Sequence, residues 1–256
     1  MSTKSESIKV LVRVRPLNDS ERNDNNDENG VIAFEGNQKL SITNADGNRT
    51  FQCEFDHIFD PKTSQETVYA SVRECTSSVL DGFNSTIFAY GQTGSGKTHT
   101  MFGPPNDVGN NDMNRSKSLS STNMKGLIPR AIEEIFSMSA QKQVISQSVY
   151  CSFVQIYNEN LFDMLRDSSM MVPLSIREDK SEIYVQGLSE YNVKSVQDTL
   201  HLLRVAEENR AIRETHMNQF SSRSHSIFQI YVEQKRMADD GGEESIRAKF
   251  NLVDLA

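Results

Sequence analysis

One eight-residue segment constrains the fold of this 256-residue chain more than any other part of it. Residues 91–98 read GQTGSGKT and fit the pattern G-x-x-x-x-G-K-[S/T]. The segment follows the apolar run TIFAY at 86–90, and a helical pattern begins at Lys97. Because it stands between a strand and a helix, it predicts a loop that wraps around phosphate groups. The alternative is a glycine-rich turn with an exposed lysine.

The residue types in this loop suit a polyphosphate. Glycines free the backbone, so that successive N–H groups can point inward, and the following helix adds the positive end of its dipole. Lys97 supplies a compact positive charge for the terminal phosphates, and the Thr98 hydroxyl can coordinate Mg²⁺. The candidate phosphate-binding residues are Gly91, Gln92, Thr93, Gly94, Ser95, Gly96, Lys97 and Thr98.

Alternating strand and helix patterns predict an α/β sheet fold. The run at 86–90 has no polar alternation, which predicts a strand that is buried on both faces of a parallel sheet. Residues 160–166 are predicted to form a short helical turn. The predicted helices cover 67–80, 97–102, 127–138 and 196–214. The other predicted strands cover 8–15, 31–34, 39–43, 50–55, 144–157, 174–176, 183–185, 226–233 and 246–254.

Three stretches without periodicity predict irregular structure. Residues 1–7 are polar, and we expect a disordered N-terminus. Residues 18–30 contain no apolar side chain and predict a solvated loop. Residues 103–126 contain Pro-Pro, Asn and Ser. A loop of that length is unusual inside a compact domain and indicates either a function or disorder.

Charge and composition argue against several classes of protein. The chain carries 27 Lys+Arg and 35 Asp+Glu, a net charge of -8, which argues against nucleic-acid binding. No apolar run approaches the roughly 18 residues of a membrane-spanning helix, and residues 1–7 lack a signal-peptide core. We therefore expect no membrane insertion and no secretion. The three cysteines form no C-x-x-C pair, which favours free thiols in a reducing cytosol over a zinc site.

Two further motifs could complete a nucleotide site. Asp254 ends an apolar strand, the usual setting for a carboxylate near Mg²⁺, although a strand-end aspartate often just begins a turn. Residues 218–225 (NQFSSRSH) place hydroxyls, a guanidinium and an imidazole in one loop. The alternative for that loop is a polar turn rich in local side-chain-to-backbone bonds.

Together these motifs resemble the kinesin motor domain. The resemblance rests on GQTGSGKTHTM (91–101), NQFSSRSH (218–225), LVDLA (252–256) and RVRP (13–16), and it spans residues 8–256. It implies a P-loop NTPase fold of kinesin type, with a central mostly parallel or mixed sheet and helices on both faces. It also implies a microtubule-stimulated ATP hydrolase and motor that uses ATP, ADP and Mg²⁺.

The resemblance assigns an adenine site to residues outside the phosphate loop. Arg13 and Pro16 would flank the base, and His99 would lie on its other side. Arg15 belongs to the same nucleotide-binding set. Without the family, the residues themselves favour reading Arg13 as a charge at a sheet edge and His99 as a histidine on a helix surface.

The resemblance also assigns roles to the loop at 218–225. Ser222 would coordinate Mg²⁺ directly or through water, and Ser221 would position the attacking water or relay its proton. Arg223 would form the salt bridge that closes the site over ATP, and Asn218 would help to hold the loop closed. The implied catalytic residues are Asn218, Ser221, Ser222, Arg223 and Asp254, and the implied magnesium ligands are Thr98, Ser222 and Asp254.

The family pattern continues after LVDLA with Gly-Ser-Glu, whereas this sequence stops at Ala256. We therefore expect residues 8–256 to form an incomplete motor domain, lacking its C-terminal part, that binds nucleotide weakly, hydrolyses it poorly and does not move. A central strand would be missing, which would expose strand edges at 8–15 and 86–90. The alternative functions are a nucleotide-binding module that docks on microtubules or a partner without turnover, and a P-loop ATPase that is not a motor.

The implied partner is the microtubule, and the implied location is the microtubule cytoskeleton in the cytoplasm. In relatives the region 166–180 touches tubulin, so Arg166, Arg177 and Lys180 could meet its acidic surface. A solvated charged turn is the alternative for that region. The full-length protein would form a dimer through a stalk that this sequence does not contain.

Overall fold

The computed structural model describes residues 8–18, 21, 31–44, 46–104, 124–139, 144–167, 172–179, 183–216, 224–238 and 241–256. The chain divides into two compact units, Met1–Ser64 and Gln65–Ala256. The predicted disordered segment 1–7 and most of the predicted loops at 18–30 and 103–126 lie outside the described residues.

The first unit contains two small sheets. Strands β1 (Leu11–Arg13) and β5 (His57–Phe59) pair in parallel. Strands β2 (Ile32–Glu35), β3 (Lys39–Thr43) and β4 (Thr50–Glu54) form an antiparallel meander. The strands predicted in this part of the chain are confirmed, although β1 is shorter than predicted. β5 was missed because three residues are too few to show a periodicity.

A mixed sheet of six strands lies at the centre of the second unit, in the order β11–β7–β12–β13–β6 with β8 beside β7. Within this sheet the β13–β6 pair is parallel, and the other described pairs are antiparallel. The predicted mixed sheet is thus confirmed. A hairpin of β9 and β10 stands apart from it. The strands are β6 (Ser85–Ala89), β7 (Val144–Tyr157), β8 (Asn160–Asp163), β9 (Ser175–Glu178), β10 (Ile183–Gln186), β11 (Tyr191–Val193), β12 (Ser224–Met237) and β13 (Glu243–Asp254).

Four predicted helices are confirmed: α1 (Gln65–Leu80), α2 (Lys97–Met101), α3 (Leu127–Ser139) and α4 (Val196–His216). α3 packs against the other three. No helix in the described part of the chain has the length and apolar character needed to cross a membrane.

The helices cover the sheet face that carries the aromatic core. Phe153 on β7 and Phe228 on β12 meet edge to face at 5.7 Å between ring centroids, and both are fully buried. Phe102, just after α2, stacks on Phe153. Truncating such a buried ring costs about 3–5 kcal/mol. The helices predicted for the opposite face are not among the described residues, so that part stays a prediction.

The predicted helical turn at 160–166 is wrong. These residues begin with β8, which pairs with β7 through the register Tyr157↔Asn160. The two residues between the strands, Asn158 and Glu159, have φ angles of 46° and 61°. A two-residue hairpin needs such left-handed residues and usually shows a glycine. The glycine is absent here, so the sequence carried no hairpin signal.

The prediction that residues 86–90 are buried on both faces is also wrong. β6 alternates between half-buried and exposed residues, with Phe88 65% and Tyr90 90% exposed. The physical reason is position: β6 pairs with β13 on one side, and the described residues supply no strand on its other side. This free edge is the one expected at 86–90.

The two ends of the long loop at 103–126 meet. The Gly126 N–H donates to the Phe102 carbonyl at 3.2 Å. A Cβ on Gly126 would lie 2.5 Å from the Met101 carbonyl oxygen, and one on Gly103 would lie 2.8 Å from the Met124 carbonyl oxygen. Both glycines therefore allow a close approach of two backbones. Since the two ends of the loop are adjacent, the entropy cost of closing it rises only slowly with its length.

We predict that replacing residues 105–123 by a short Gly-Ser linker preserves the fold. Gly126→Ala, in contrast, should lower the free energy of unfolding by about 1–3 kcal/mol because its methyl group meets backbone atoms. Urea unfolding of both variants tests this. An unchanged midpoint for Gly126→Ala would show that the junction relaxes freely.

The three cysteines are free thiols, and they differ in burial. Cys151 is fully buried on β7, and burial raises the pKa of its thiol to about 12. Since the thiolate is the reactive form, we predict that iodoacetamide at pH 8 modifies the half-buried Cys53 and Cys75 and spares Cys151. Mass spectrometry of the labelled chain gives the result, and denaturant should make all three reactive. Labelling of native Cys151 at the rate of the other two would contradict its burial.

Candidate functional site

The predicted phosphate loop links β6 to α2 through an open curve. Gly94 and Gly96 have φ angles of 80° and 95°, and a Cβ at either would meet nothing within 4 Å. These glycines are needed for the left-handed backbone and not for close packing. The Ser95 N–H donates to the Gln92 carbonyl at 3.1 Å, which bends the loop back on itself.

Lys97 holds its charge inside this curve. Its Nζ donates to the Gly91 carbonyl at 2.8 Å and to the Gln92 carbonyl at 3.0 Å. An ammonium group has three donors and no acceptor, so phosphate oxygens could replace these carbonyls without any change in the role of the side chain. The ammonium group therefore lies within the curve of the predicted phosphate loop.

Thr98 and Asp254 meet although 156 positions separate them. The Thr98 hydroxyl donates to Asp254 Oδ2 at 2.7 Å. The parallel register of β13 on β6 sets Asp254 beside Ala89, which precedes the loop. The carboxyl ends of parallel strands meet at one sheet edge, where α/β proteins bind ligands. The strand-end aspartate is thus at the phosphate loop and does not merely begin a turn.

One carboxylate oxygen of Asp254 accepts no hydrogen bond from the described residues. The residue is 2% exposed, and its Oδ1 has no hydrogen-bond partner among the described residues. The described residues contain no group of three or more His, Cys, Asp or Glu side chains that could hold a metal by themselves. Mg²⁺ is usually bound by one or two protein oxygens together with water and phosphates. Thr98 and Asp254 fit that kind of site.

Arg210, which no sequence pattern singled out, approaches Asp254 from α4. Its Nη1 lies 3.7 Å from Asp254 Oδ2, and the side chain is 14% exposed. A cation at this distance offsets part of the cost of burying the carboxylate. No motif surrounds Arg210, and the sequence holds no signal that this part of α4 approaches Asp254.

His99 is held by a second residue that the sequence analysis missed. Gln65, the first residue of α1, is buried, and its Nε2 donates to the His99 carbonyl at 2.6 Å. The same Nε2 lies 3.3 Å from His99 Nδ1. The histidine is thus half-buried and oriented, and it does not project freely from the helix surface.

The remaining adenine-site residues belong to the first unit. Arg13 approaches the Thr63 carbonyl at 3.5 Å, and burial lowers its pKa. Arg15 forms two hydrogen bonds to Glu21, at 2.7 and 2.5 Å, and these hold the Glu21 pKa at about 2. Arg15 also donates to the Pro16 carbonyl at 3.1 Å. The adenine roles of these residues remain predictions.

Asn218, Ser221, Ser222 and Arg223 lie outside the described residues. The next described residue is Ser224, which begins β12. Ser224 is buried and accepts a hydrogen bond from Gln155 Nε2 at 3.0 Å. His225 Nδ1 accepts from the Ala256 N–H at 2.9 Å. The C-terminal end of this predicted loop is therefore anchored to β7 and to the segment that follows Asp254.

Comparison with known proteins agrees with this geometry. The family model described as "Kinesin motor domain" matches residues 13–256. The chain belongs to the kinesin motor domain family. Among curated kinesins, Kinesin-related protein 5 of Dictyostelium discoideum is 38% identical over 98% of this chain, and Kinesin heavy chain of Drosophila melanogaster is 37% identical over 98%. The chain spans 23% and 24% of the lengths of these relatives.

A solved kinesin structure shows the same fold. The structure titled "Structure of a fast kinesin: Implications for ATPase mechanism and interactions with microtubules" matches with a TM-score of 0.84 and 34% identity. The match covers 100% of this chain and 67% of that one. The central sheet with its helices is therefore the P-loop NTPase fold of kinesin type.

We predict that Arg210 and Asp254 are energetically coupled. Arg210→Ala should destabilise the chain because it leaves a buried carboxylate less compensated, while the same change in an Asp254→Asn background should cost less. A double-mutant cycle by urea unfolding should give a coupling free energy of about 0.5–3 kcal/mol. Strict additivity of the two changes would contradict the contact.

Proposed function

We propose that residues 8–256 belong to a motor domain that binds ATP with Mg²⁺, hydrolyses the ATP and binds microtubules. The observation that carries the proposal is the hydrogen bond from Thr98 to the buried Asp254 beside the glycine loop. It brings two kinesin motifs from distant parts of the sequence to one point. Membership of the family argues against a P-loop ATPase of another kind.

Each residue at the loop would contribute one part of the chemistry. Lys97 would neutralise charge on the terminal phosphates, and backbone N–H groups of the loop would bind their oxygens. Thr98 and Asp254 would hold Mg²⁺, the latter through water, and Arg210 would keep Asp254 oriented. Mg²⁺ held there would supply positive charge against the negative charge that develops in phosphoryl transfer. Catalysis of this kind rests mainly on positioning and charge.

The loop at 218–223 would supply what the described residues do not. Ser222 would complete the magnesium ligands, and Ser221 would position the attacking water. Arg223 and Asn218 would close the loop over the phosphates. Anchorage of Ser224 and His225 supports this proposal, because it holds the end of the loop near the segment that contains Asp254.

We further propose that His99 contacts the adenine base, and that Arg13, Arg15 and Pro16 of the first unit have the adenine-binding role that the kinesin resemblance implies. The fixed orientation of His99 by Gln65 supports the first part of this assignment. Arg15 would have to exchange its bonds to Glu21 for nucleotide contacts, or act by holding Glu21. The assignment thus predicts that His99 contributes to the preference for adenine over other bases, whether or not Arg15 contacts the nucleotide.

The proposed microtubule contact involves the hairpin β9–β10 and its flanks. Ile176 and Ile183 on the hairpin are 58% and 65% exposed, and Arg177 donates to Gln186 at its surface. Arg166 is engaged with Asp163 at 3.2 Å, so its charge is partly offset. Lys180 lies outside the described residues. Family membership supports the further proposal that the protein works on the microtubule cytoskeleton of the cytoplasm, and dimerisation through a stalk stays a prediction.

A second candidate is nucleotide binding without efficient turnover or movement by residues 1–256 alone. The observation that favours it is the free edge of β6, directly before the phosphate loop, with Phe88 exposed. A strand that is paired on one side only holds the loop that follows it less rigidly than a strand that is paired on both sides.

The first test is therefore to measure ATP affinity, ATP turnover and microtubule cosedimentation for this chain. Turnover at a rate strongly raised by microtubules supports the first candidate, and binding without turnover supports the second.

We predict that Lys97→Ala weakens ATP binding by about 10–100-fold, because one charged hydrogen-bonding group is worth about 1.5–3 kcal/mol. Isothermal calorimetry with Mg²⁺ and ATP measures the affinity. Lys194→Ala, at an exposed lysine on the same unit, is the matched control and should leave it unchanged. Equal affinities of the two variants for ATP would show that Lys97 does not bind the phosphates.

A further inference from the structure

Three buried polar side chains form a row across the sheet beside the proposed magnesium site. Asp254 on β13 is paired with Ser226 on β12, and Ser226 is paired with Gln155 on β7. Cross-strand partners point to the same face, with their Cβ atoms about 4.5–5.5 Å apart. The three side chains therefore lie next to one another on the face that carries the aromatic core.

Each member of the row has a polar atom without a hydrogen-bond partner among the described residues. The atoms are Asp254 Oδ1, Ser226 Oγ and Gln155 Oε1, and the residues are 2%, 2% and 3% exposed. Buried polar groups in native proteins are nearly always paired, because an unsatisfied one is costly. Three adjacent unsatisfied atoms thus indicate a shared ligand.

The donor and acceptor types of the row identify that ligand. Asp254 and Gln155 each offer an oxygen that accepts, and the Ser226 hydroxyl offers a proton. A water molecule has two protons to donate and can accept a third bond, which matches this set. Buried waters typically make about three hydrogen bonds to otherwise unsatisfied groups.

We propose that one ordered water binds among Asp254, Ser226 and Gln155. It donates to Asp254 Oδ1 and to Gln155 Oε1, and it accepts from the Ser226 hydroxyl. The water turns Oδ2 of Asp254 toward Thr98, so Ser226 is a positioning residue of the proposed nucleotide site. This part of the inference rests on the proposed function, whereas the water site itself does not.

The row also connects Thr98 to Ser224. At one end Asp254 accepts a hydrogen bond from Thr98, on the helix after the phosphate loop. At the other end Gln155 Nε2 donates to Ser224, which follows the loop at 217–223. A change in the orientation of Asp254 would therefore reach Ser224 through a continuous chain of hydrogen bonds.

The chain offers a matched control in Ser152. It is fully buried on β7, and its hydroxyl also has no partner among the described residues. Ser152 lies three positions before Gln155 on the same strand. Its side chain is on the opposite face of the sheet, where it is paired with Gln229. Ser226→Ala and Ser152→Ala thus remove the same group from equally buried places, and one of the two is remote from Asp254.

The first test is a high-resolution crystal structure of the nucleotide-free chain and both variants. We expect the water in the wild-type chain and in Ser152→Ala, and its loss in Ser226→Ala. A wild-type structure in which Ser226 bonds Asp254 or Gln155 directly, with no water, would overturn the proposal. If Ser226→Ala does not fold, Gln155→Met removes a partner of the same water from the other side and should show the same loss.

The second test is the free Mg²⁺ concentration needed to slow ADP release, followed with a fluorescent ADP. Ser226→Ala should need about tenfold more Mg²⁺, equal to 1.4 kcal/mol, and Ser152→Ala should match the wild type. Ser226→Thr keeps the hydroxyl and should restore the wild-type value. Equal values for the two alanine variants would refute the positioning role. If the wild-type chain shows no Mg²⁺-dependent nucleotide binding at all, the proposed function fails instead.

Discussion

The site depends on a buried carboxylate at the end of one strand. Asp254 lies in the interior, where Thr98 donates to it at 2.7 Å and Arg210 approaches it at 3.7 Å. Thr98 lies near the start of α2 and Arg210 lies within α4, so the parallel β13–β6 pairing, the phosphate loop and the packing of α4 must all be in place together. A buried charge without such partners would be strongly destabilising. Folding of the second unit and assembly of the site are therefore one event.

One face of the central sheet carries both an apolar core and a row of polar side chains. This face holds Phe153 and Phe228 in close contact and, at the end nearest the phosphate loop, replaces apolar residues by the polar row of Asp254, Ser226 and Gln155. The aromatic part supplies stability, and the polar part has atoms without a hydrogen-bond partner among the described residues. The other face is more open at β6, where Phe88 is exposed. The apolar core and the proposed water site are thus adjacent on one surface of the sheet.

Strong local patterns made much of this fold predictable. The periodicities of α1, α3 and α4 and the long strands β7, β12 and β13 were recognised from the sequence, as was the phosphate loop. Short strands such as β5 and β11 were missed because three residues show no period. The hairpin at Asn158 was missed because no glycine marks it. Arg210 and Gln65 could not be found, since their roles arise from contacts across 44 and 34 positions that leave no local signature. Asp254 was identifiable as a candidate, but its partnership with Thr98 required the tertiary structure.

The most direct test of the central claim is a crystal structure of the chain with Mg²⁺ and a non-hydrolysable ATP analogue. The measured quantities are the contacts of Thr98 Oγ1 and Lys97 Nζ. We expect the Thr98 oxygen to leave Asp254 for the metal at about 2.0–2.1 Å, with Asp254 reaching Mg²⁺ through water. Lys97 Nζ should leave the Gly91 and Gln92 carbonyls for phosphate oxygens. A nucleotide bound elsewhere, with the Thr98–Asp254 and Lys97 bonds intact, would contradict the account.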